Sequence, residues 1–300
     1  MFKYQYKNLF LLAAMVCSHT LIAQPETGLL AELGADSTEV VYATNAFKST
    51  RVVNSQSMEM LGYGVLDFRI LHRFGKMSSG FYESFGLDNA SMRIGFDYGL
   101  LPNVMVGIGR TTSRKEIDGF VKYRVLRQST GAKNMPVSVL GVSGMTYTGL
   151  KQPFENPDVE ATAARRVAYY QQIIIGRKFS ERFSLQLSPT YLHRNIVATT
   201  MIPNDLFALG IGGRFKVSNR VALVWDYTSA FNRAPGDPTA DPLTIGVDIE
   251  TGGHVFQLHF SNAVGMNERA FIADNNGNWG KGDIQFGFNL SRVFQVYNKK

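Results

Sequence analysis

The chain has 300 residues, a formal net charge of +7 and one cysteine. Its positive charge is spread along the sequence, whereas a nucleic-acid-binding surface needs a concentrated basic patch, so we expect no nucleic-acid partner. A single cysteine excludes an internal disulfide framework and a metal centre built on several thiolates, and we expect no cofactor.

The first residues predict export through a cleaved secretory signal, residues 1–23. Lys3 and Lys7 form a basic start, an apolar run follows, and Ala23 supplies a small residue at its end. The run is shorter than the about 20 apolar residues that a membrane-spanning helix needs, and no comparable run follows it. Any crossing of a membrane must therefore use strands. Lipid attachment at Cys17 is an alternative that the residues before this cysteine disfavour.

The N-terminal segment, residues 24–61, precedes the first predicted strand and mixes acidic residues with the short apolar patch Val40–Tyr42. Three interpretations stay open for it: a disordered leader in the periplasm, a plug inserted into a barrel, or a short cap. Phe47–Met60 is the more structured part, and we favour its lying in or beneath the periplasmic mouth of a barrel.

In residues 62–300, apolar and polar residues alternate, as they do on the two faces of a strand. Within Asn89–Leu100, for example, Ile94 and Phe96 share one face and Asp97 lies on the other. The predicted strands are, in chain order, Gly64–Phe74, Asn89–Leu100, Val104–Arg110, Ile117–Leu126, Pro136–Thr148, Val167–Phe179, Phe183–Arg194, Asp205–Val217, Arg220–Phe231, Leu243–Glu250, His254–Ala263 and Asp283–Leu290.

A soluble β-sandwich is the competing interpretation of this alternation. Several predicted strands reach about ten residues, the length that a tilted strand needs to cross a bilayer, whereas soluble strands are usually about 5–6 residues long. The apolar faces also carry aromatic residues near strand ends, where the interfacial girdles of membrane barrels lie. These residues are Phe74, Tyr98, Tyr191, Trp225, Tyr227 and Phe294.

Connection lengths give an independent indication. Short turns follow predicted strands 2, 6, 8 and 10, longer loops follow strands 1, 5, 7, 9 and 11, and the connections after strands 3 and 4 are ambiguous. Short periplasmic turns that alternate with longer outer loops are typical of outer-membrane barrels. The sequence therefore predicts an all-β protein: a transmembrane, antiparallel, up-and-down β-barrel of about twelve strands, surrounded by outer-membrane lipid, with both termini in the periplasm.

Segments spread from Phe47 to Tyr297 resemble a family of membrane-bound β-barrel domains of unknown function from gram-negative bacteria. The resemblance implies a β-barrel fold in the outer membrane, and it implies no substrate and no catalytic residues. The segments that carry it are FKSTR (47–51), GVLDFRILHRFG (64–75), DGFVKYRVLRQ (118–128), FSERFSLQLSPTYLHR (179–194), FALGIGG (207–213) and GVDIETGGHVFQLHF (246–260).

Charged residues on the polar faces form the first candidate site, because a barrel turns these faces towards its lumen. They could line a solute pore or pair with one another across neighbouring strands. Eight strands leave a lumen that side chains just fill and sixteen leave a channel, so twelve strands crowded with arginines favour a narrow or occluded lumen. The basic and acidic members nearly balance, which predicts little charge selectivity. The predicted lumen-lining residues are Asp67, Arg69, Arg73, Arg93, Asp97, Lys122, Arg124, Arg214, Lys216, Asp226, Asp248, Glu250 and Asp283.

The second candidate is the run His259–Asn262, because the spacing His-x-Ser places an imidazole and a hydroxyl on one face of a strand. It resembles the His-x-Ser-Asn run of outer-membrane phospholipases, and Asn275 or Asn276 could orient the imidazole. The phenylalanines on either side of His259 would face lipid, which turns the histidine and Ser261 into the lumen, away from a lipid substrate. We therefore expect no enzyme activity. The histidines also lie on separate strands without ligand spacing, so we expect no metal site.

The leading functional hypothesis is an outer-membrane barrel that passes or binds small solutes. The alternative is a structural or docking barrel whose outer loops (149–166, 231–242 and 264–282) or periplasmic face hold envelope proteins. A lipid hydrolase that uses His259 and Ser261 comes third.

Overall fold

The computed structural model describes residues 39–153, 160–197 and 201–297. The predicted signal sequence, residues 1–23, lies outside this part of the chain, as do residues 24–38 of the N-terminal segment. Short portions of the predicted loops 149–166 and 195–204 lie outside it as well.

The described residues form fourteen strands and one α-helix. The helix is α1 (Glu268–Ala273). The strands are β1 (Val40–Tyr42), β2 (Val65–Lys76), β3 (Ala90–Leu101), β4 (Val104–Thr111), β5 (Ile117–Leu126), β6 (Ser129–Gly131), β7 (Ser138–Tyr147), β8 (Val167–Lys178), β9 (Phe183–Arg194), β10 (Asp205–Lys216), β11 (Val221–Ala230), β12 (Leu243–Thr251), β13 (His254–Ser261) and β14 (Gln285–Gln295).

Twelve of these strands, all except β1 and β6, close into one antiparallel barrel. Each barrel strand pairs with the barrel strands before and after it in sequence, and β14 pairs with β2 to complete the ring. An even number of strands makes this closing pair antiparallel, like every other pair in the barrel. The prediction of an all-β, up-and-down barrel of twelve strands is confirmed.

The two ends of the barrel differ in their connections. At one end, here named the turn end, four connections are short, such as residues 102–103 and 252–253. At the other, the loop end, the connections include the long segments 231–242 and 262–284. Of the two connections that the sequence left ambiguous, residues 112–116 lie at the loop end and residues 127–137 at the turn end. The second is longer because it contains β6, which pairs with β1.

Alternation along the strands divides the wall into an outer apolar face and an inner face. In β8, Ile173 and Ile175 are exposed on the outside, whereas Gln172 and Ile174 between them are buried on the inside. Large apolar side chains are similarly exposed around the outer wall, including Phe96 on β3 and Ile108 on β4. A continuous exposed apolar surface of this kind is suited to lipid rather than water.

Helical structure within the described residues is confined to α1 and to short 3-10 turns. Those turns comprise Met77–Ser79, Phe81–Gly86, Ser113–Lys115, Ala164–Arg166 and Trp279–Lys281. None of the helices in the described ranges has the length and apolar character needed to cross a membrane.

We expect Ile173→Arg to destabilise the folded barrel in lipid by about 2–4 kcal/mol, because an arginine near mid-strand would enter the bilayer midplane. The matched control is Val125→Arg, on the outer face of β5 next to its turn-end terminus. There an arginine reaches the interface and costs about 0–1 kcal/mol.

For both variants, the change in the free energy of unfolding can be measured by chemical denaturation in lipid vesicles. The fluorescence of the two tryptophans monitors the unfolding. Equal losses for the two variants would contradict the assignment of the outer face to lipid.

Candidate functional site: the occupied lumen

The interior of the barrel holds part of the N-terminal segment. After β1 pairs with β6 at the turn end, residues 46–58 run inside the strands as a hairpin, here named the plug hairpin. Arg51 and Gln56 pair across it, and the Val52 amide donates to the Ser55 carbonyl at 2.9 Å. Almost all of its side chains are buried, so it is enclosed by the wall on all sides.

Asp226, in the middle of β11, binds the tip of the plug hairpin. Its carboxylate accepts hydrogen bonds from the backbone amides of Asn54 at 2.9 Å and Ser55 at 2.7 Å, and from the Ser55 hydroxyl at 3.0 Å. Hydrogen bonds to an ionised acceptor are the stronger kind, and three converge here. Asp226 therefore supplies a negatively charged acceptor for the buried backbone amides of the hairpin turn.

Lys122 on β5 donates hydrogen bonds to backbone carbonyls of the plug hairpin and of Glu59, the residue that follows it. Its ammonium group donates to the carbonyl oxygens of Thr50 at 2.9 Å, Ser57 at 3.1 Å and Glu59 at 3.2 Å. The side chain is fully buried, and these three carbonyls use all three of its donors. Lys122 thus joins both arms of the plug hairpin to the wall.

Three further wall side chains bind the plug hairpin through its backbone. Gln186 accepts from the Met58 amide at 2.8 Å and donates to the Gln56 carbonyl at 2.7 Å. Gln257 donates to the Val52 carbonyl at 2.7 Å, and Asn289 donates to the Val53 carbonyl at 3.1 Å. Because a hairpin this short satisfies few of its own backbone groups, the wall supplies the remaining partners.

One side of the lumen is apolar. Phe47, Val52 and Met58 of the plug hairpin belong to a buried cluster with inward side chains of β4, β5 and β7–β10. At Gly212 on β10 a Cβ atom would lie 2.9 Å from Val52, so glycine permits the close approach. The expectation of polar inner faces therefore fails at these positions, although the same strands also carry buried polar residues such as Lys122 and Gln186. The wall residues of the cluster are Met105, Phe120, Leu140, Val142, Tyr170, Ile174, Leu192 and Leu206.

A second element fills the lumen from the loop end. Helix α1 belongs to the connection between β13 and β14, and it is capped by the Asn267 side chain, which accepts from the Ala270 amide at 2.9 Å. Glu268, Phe271 and Ile272 on this helix are buried. A long loop-end connection thus folds inward.

The two lumen elements meet at an ion pair. Arg51 of the plug hairpin lies 3.1 Å from the Glu268 carboxylate of α1, and each side chain is only 1% exposed. Arg51 also donates to the Asn54 carbonyl at 2.7 Å, which holds its guanidinium against the hairpin turn. The pair therefore links the filling from one end of the barrel to the filling from the other.

Titratable groups outside the strands respond to these surroundings. Burial raises the pKa of Glu59, although its carboxylate accepts hydrogen bonds from the Ala46 and Phe47 amides. Burial alone would also raise the pKa of Asp274, but the charge of Arg269 and the hydrogen bond from it outweigh burial and lower that pKa. The loop-end carboxylate thus lies in a strongly positive environment.

Nine of the thirteen predicted lumen-lining residues are buried: Asp67, Arg69, Arg73, Arg93, Asp97, Lys122, Arg214, Asp226 and Asp248. Several contact the plug hairpin. Thr50, for example, donates to Asp97 at 2.9 Å and accepts from Arg69 at 2.5 Å. Arg73 donates to the Asn54 side chain at 2.8 Å.

The other four predicted residues lie nearer the ends. Glu250 is partly buried at the turn end, where it pairs with Lys48 of the plug hairpin at 3.0 Å. Arg124 and Lys216 are partly exposed near the turn-end termini of their strands. Asp283 precedes β14 and pairs with Lys76 at 3.1 Å at the loop end, so it lies at the rim rather than among the buried lumen charges.

Sequence reasoning missed several buried charges. Asp118 on β5 pairs with Arg93 at 2.5 Å, and its position has the same parity as Lys122. That parity was a usable signal, although Phe120 between them interrupts the polar pattern. Arg51 and Glu268 come from segments without strand alternation, so no periodic signal marked them.

His259 and Ser261 both face the lumen on β13 and are buried. The Ser261 hydroxyl lies 2.7 Å from the Thr244 hydroxyl and accepts from the Ala263 amide at 3.0 Å. Neither ring nitrogen of His259 has a hydrogen-bond partner among the described residues. His259 and Ser261 therefore make no hydrogen bond to each other in the described part of the chain.

A cavity remains at each end of the lumen. The loop-end cavity has a volume of about 430 Å³ and is lined by the 3-10 turns Ser113–Lys115 and Ala164–Arg166 and by α1. The turn-end cavity has a volume of about 390 Å³ and is lined by the plug hairpin and the β12–β13 turn. The buried side chains of the plug hairpin and α1, including Arg51 and Phe271, occupy the lumen between these two cavities.

These features define a class: membrane β-barrels of twelve strands whose lumen is filled by segments of the same chain. The chain belongs to the family described as a membrane bound beta barrel domain (DUF5777), whose model matches residues 47–294. The match begins inside the plug hairpin, so it covers part of that hairpin as well as the barrel. No curated protein matches the sequence.

Solved structures of porins are similar in fold at very low sequence identity. The NanC porin is 9% identical, covering 78% of this chain and 100% of its own, with a TM-score of 0.46. The KdgM porin is 7% identical, covering 77% of this chain and 99% of its own, with a TM-score of 0.44. Salmonella typhi OmpF, in complex with daunomycin, is 7% identical, covering 77% and 97%, with a TM-score of 0.37.

We expect Asp226→Ala to weaken the seating of the plug hairpin by about 2–4 kcal/mol, because it leaves two buried backbone amides without an acceptor. Trypsin cleavage after Arg51 reports on this, since Arg51 is buried in the seated hairpin. Cleavage in the folded barrel should accelerate by about tenfold or more, the factor that corresponds to 1.4 kcal/mol.

The control is Asp283→Ala, which removes a rim carboxylate and should leave cleavage after Arg51 unchanged. Equal protection of Arg51 in wild-type protein and Asp226→Ala would show that Asp226 does not hold the hairpin.

Proposed function

We propose that this protein is an outer-membrane barrel for small solutes, closed at rest by the plug hairpin and α1. The turn end faces the periplasm and the loop end faces outward, as expected for short turns and long loops. The main observation in support of this proposal is the buried Arg51–Glu268 ion pair, because it joins the two elements that fill the lumen.

The chemistry of the plug contacts supports a reversible closure. Asp226, Lys122, Gln257 and Asn289 hold the hairpin through hydrogen bonds, which water can replace when the hairpin leaves. A hairpin that only completed a core would be expected to rely on apolar packing throughout. The cavities at the two ends supply space for a solute on either side of the closure.

A docking barrel is the second candidate, and one observation favours it. The 3-10 turn Phe81–Gly86 at the loop end presents Phe81 and Tyr82, which are 86% and 94% exposed. Exposed aromatic residues are typical of surfaces that bind a partner. In that case the filled lumen would be a rigid support for the loops, and envelope proteins would be the partners.

We propose no catalytic role for His259 and Ser261. The bonding of the Ser261 hydroxyl to Thr244 and its position in the lumen both favour a structural role. Replacement of Ser261 by alanine should therefore leave any phospholipid hydrolysis in detergent at background level.

The test of the closed channel uses Arg51→Gln and Glu268→Gln. Each variant leaves one buried charge unpaired, which costs about 3–5 kcal/mol and favours a hydrated lumen. In planar bilayers, each single variant should show larger or more frequent conductance steps than wild-type protein. The double exchange Arg51→Glu with Glu268→Arg restores opposite charges and should return the barrel towards the wild-type conductance.

Lys76→Gln is the matched control, since Lys76 pairs with Asp283 at the rim and should not affect closure. Removal of residues 24–61 should raise the conductance most. If every variant is as silent as wild-type protein, the channel proposal fails and the docking barrel is favoured.

A further inference from the structure

The loop-end cavity has an unusual charge composition. Among its lining residues are five arginines but only two aspartates, Asp237 and Asp274. The arginines come from four separate connections or strand ends, so the fold gathers them at one place. They are Arg114, Arg165, Arg166, Arg194 and Arg269.

Three of these guanidinium groups share one carboxylate. Asp274 lies 2.7 Å from Arg269 and 4.0 Å from both Arg114 and Arg194. Glu116 also pairs with Arg269, and it lies 3.6 Å from Arg114. Three cations therefore surround two anions in this network.

The other two arginines add positive charge without a carboxylate contact among those described. Arg165 donates to the Glu160 carbonyl at 3.1 Å. Arg166 donates to several backbone carbonyls of its own loop region, including Thr148 at 3.1 Å. Carbonyl partners satisfy donors but do not neutralise charge, so the lining keeps an excess of positive charge.

Two donors at the cavity also lack partners. The Nε–H groups of Arg194 and Arg269 are buried and have no hydrogen-bond acceptor within the described part of the chain. Only 8% of the Arg269 side chain is exposed. A buried donor on a charged group without an acceptor is costly, and an oxyanion in the cavity would compensate the charge of these two guanidinium groups.

The remaining lining is apolar. Pro153, Val167, Ile196, Ile202 and Val264 contribute to the same cavity. A volume of about 430 Å³ lies in the range of small-molecule sites, which combine apolar walls with a few convergent polar groups. This composition fits a solute with an apolar body and a charged end.

We propose that the loop-end cavity is a binding site for small organic oxyanions, namely carboxylates or phosphates that carry an apolar group. The route by which a ligand reaches this cavity rests on the proposed solute function. Its binding rests on the lining of the cavity alone. The proposal also replaces the expectation of little charge selectivity. That expectation was based on the predicted lumen-lining residues of the strands, which include none of these five arginines.

The experiment is equilibrium dialysis of the full-length, folded protein in detergent with radiolabelled benzoate, phenyl phosphate or benzyl alcohol. Benzoate or phenyl phosphate should bind about tenfold or more tightly than benzyl alcohol, and binding should weaken as salt screens the arginines. The tighter of the two oxyanions identifies the preferred head group. Equal binding of all three probes would overturn the proposal.

The variant is Arg165→Gln with Arg194→Gln, which removes two lining charges and should weaken oxyanion binding about tenfold while benzyl alcohol is unaffected. The matched control is Arg220→Gln, an exposed arginine at the turn end, which should leave all three affinities unchanged. Unchanged benzoate and phenyl phosphate binding in the folded double variant would overturn the assignment.

Heat-modifiable migration on gels checks that the double variant folds. If it does not, Arg165→Gln alone replaces it, since Arg165 is exposed, and should weaken oxyanion binding about threefold. Equilibrium dialysis measures binding whether or not the barrel conducts. Selective oxyanion binding by a barrel that shows no conductance in planar bilayers would therefore support this site and reject the channel. Conductance without selective oxyanion binding would reject this site alone.

Discussion

Closure of the sheet by β14 and β2 is the constraint on which the rest of the structure depends. Hydrocarbon offers no hydrogen-bond partners, so a sheet can cross it only without free edges. Closure with twelve strands also fixes the width of the lumen. That width exceeds what wall side chains fill in eight-stranded barrels. The plug hairpin and α1 occupy the remaining volume of the lumen. The residues of the inner wall match the backbone groups and side chains of these two elements.

The inner wall is complementary to the plug hairpin on both of its sides. The hairpin turn presents backbone amides to Asp226, and the two arms of the hairpin present backbone carbonyls to Lys122. On the other side, Val52 and Met58 meet apolar wall residues. Much of the polar lumen is therefore explained by the backbone of an inserted segment, rather than by a path of water. Under the proposed function, a solute would have to use the cavities beyond that segment or displace it.

The barrel was predictable because lipid imposes a period of two on every strand that it touches. The clean alternation of β2 and β3 follows, since their inner residues are mostly charged, as with Arg69 and Asp97. Strands such as β7 alternate poorly for a physical reason: Leu140 and Val142 face the hairpin, so both faces are apolar. The number of strands was thus accessible from the sequence, whereas the apolar residues of the inner wall were not.

Arg51 and Glu268 mark the limit of sequence reasoning, because they are 217 residues apart and neither lies in a strand. Their contact depends on two separate segments that both fold into the lumen. Periodicity reports the environment of a strand face, but it carries no information on which loop enters a cavity. The arginines of the loop-end cavity were missed for the same reason, since four of the five belong to connections rather than to strands of the wall: Arg114, Arg165, Arg166 and Arg269.

The two cavities differ in charge, and this difference bears on how a solute would be handled. The loop-end lining is dominated by arginines, whereas the turn-end lining includes Lys48 against the carboxylates of Glu59, Asp67 and Glu250. An organic anion held at the loop end would therefore meet rising electrostatic free energy towards the turn end. Lys48 belongs to the plug hairpin and pairs with Glu250, so displacement of the hairpin also removes a cation from the turn-end mouth. Under the proposed function, charge thus favours retention of an anion at the loop-end cavity, and its passage would require that the turn-end carboxylates gain other counter-ions.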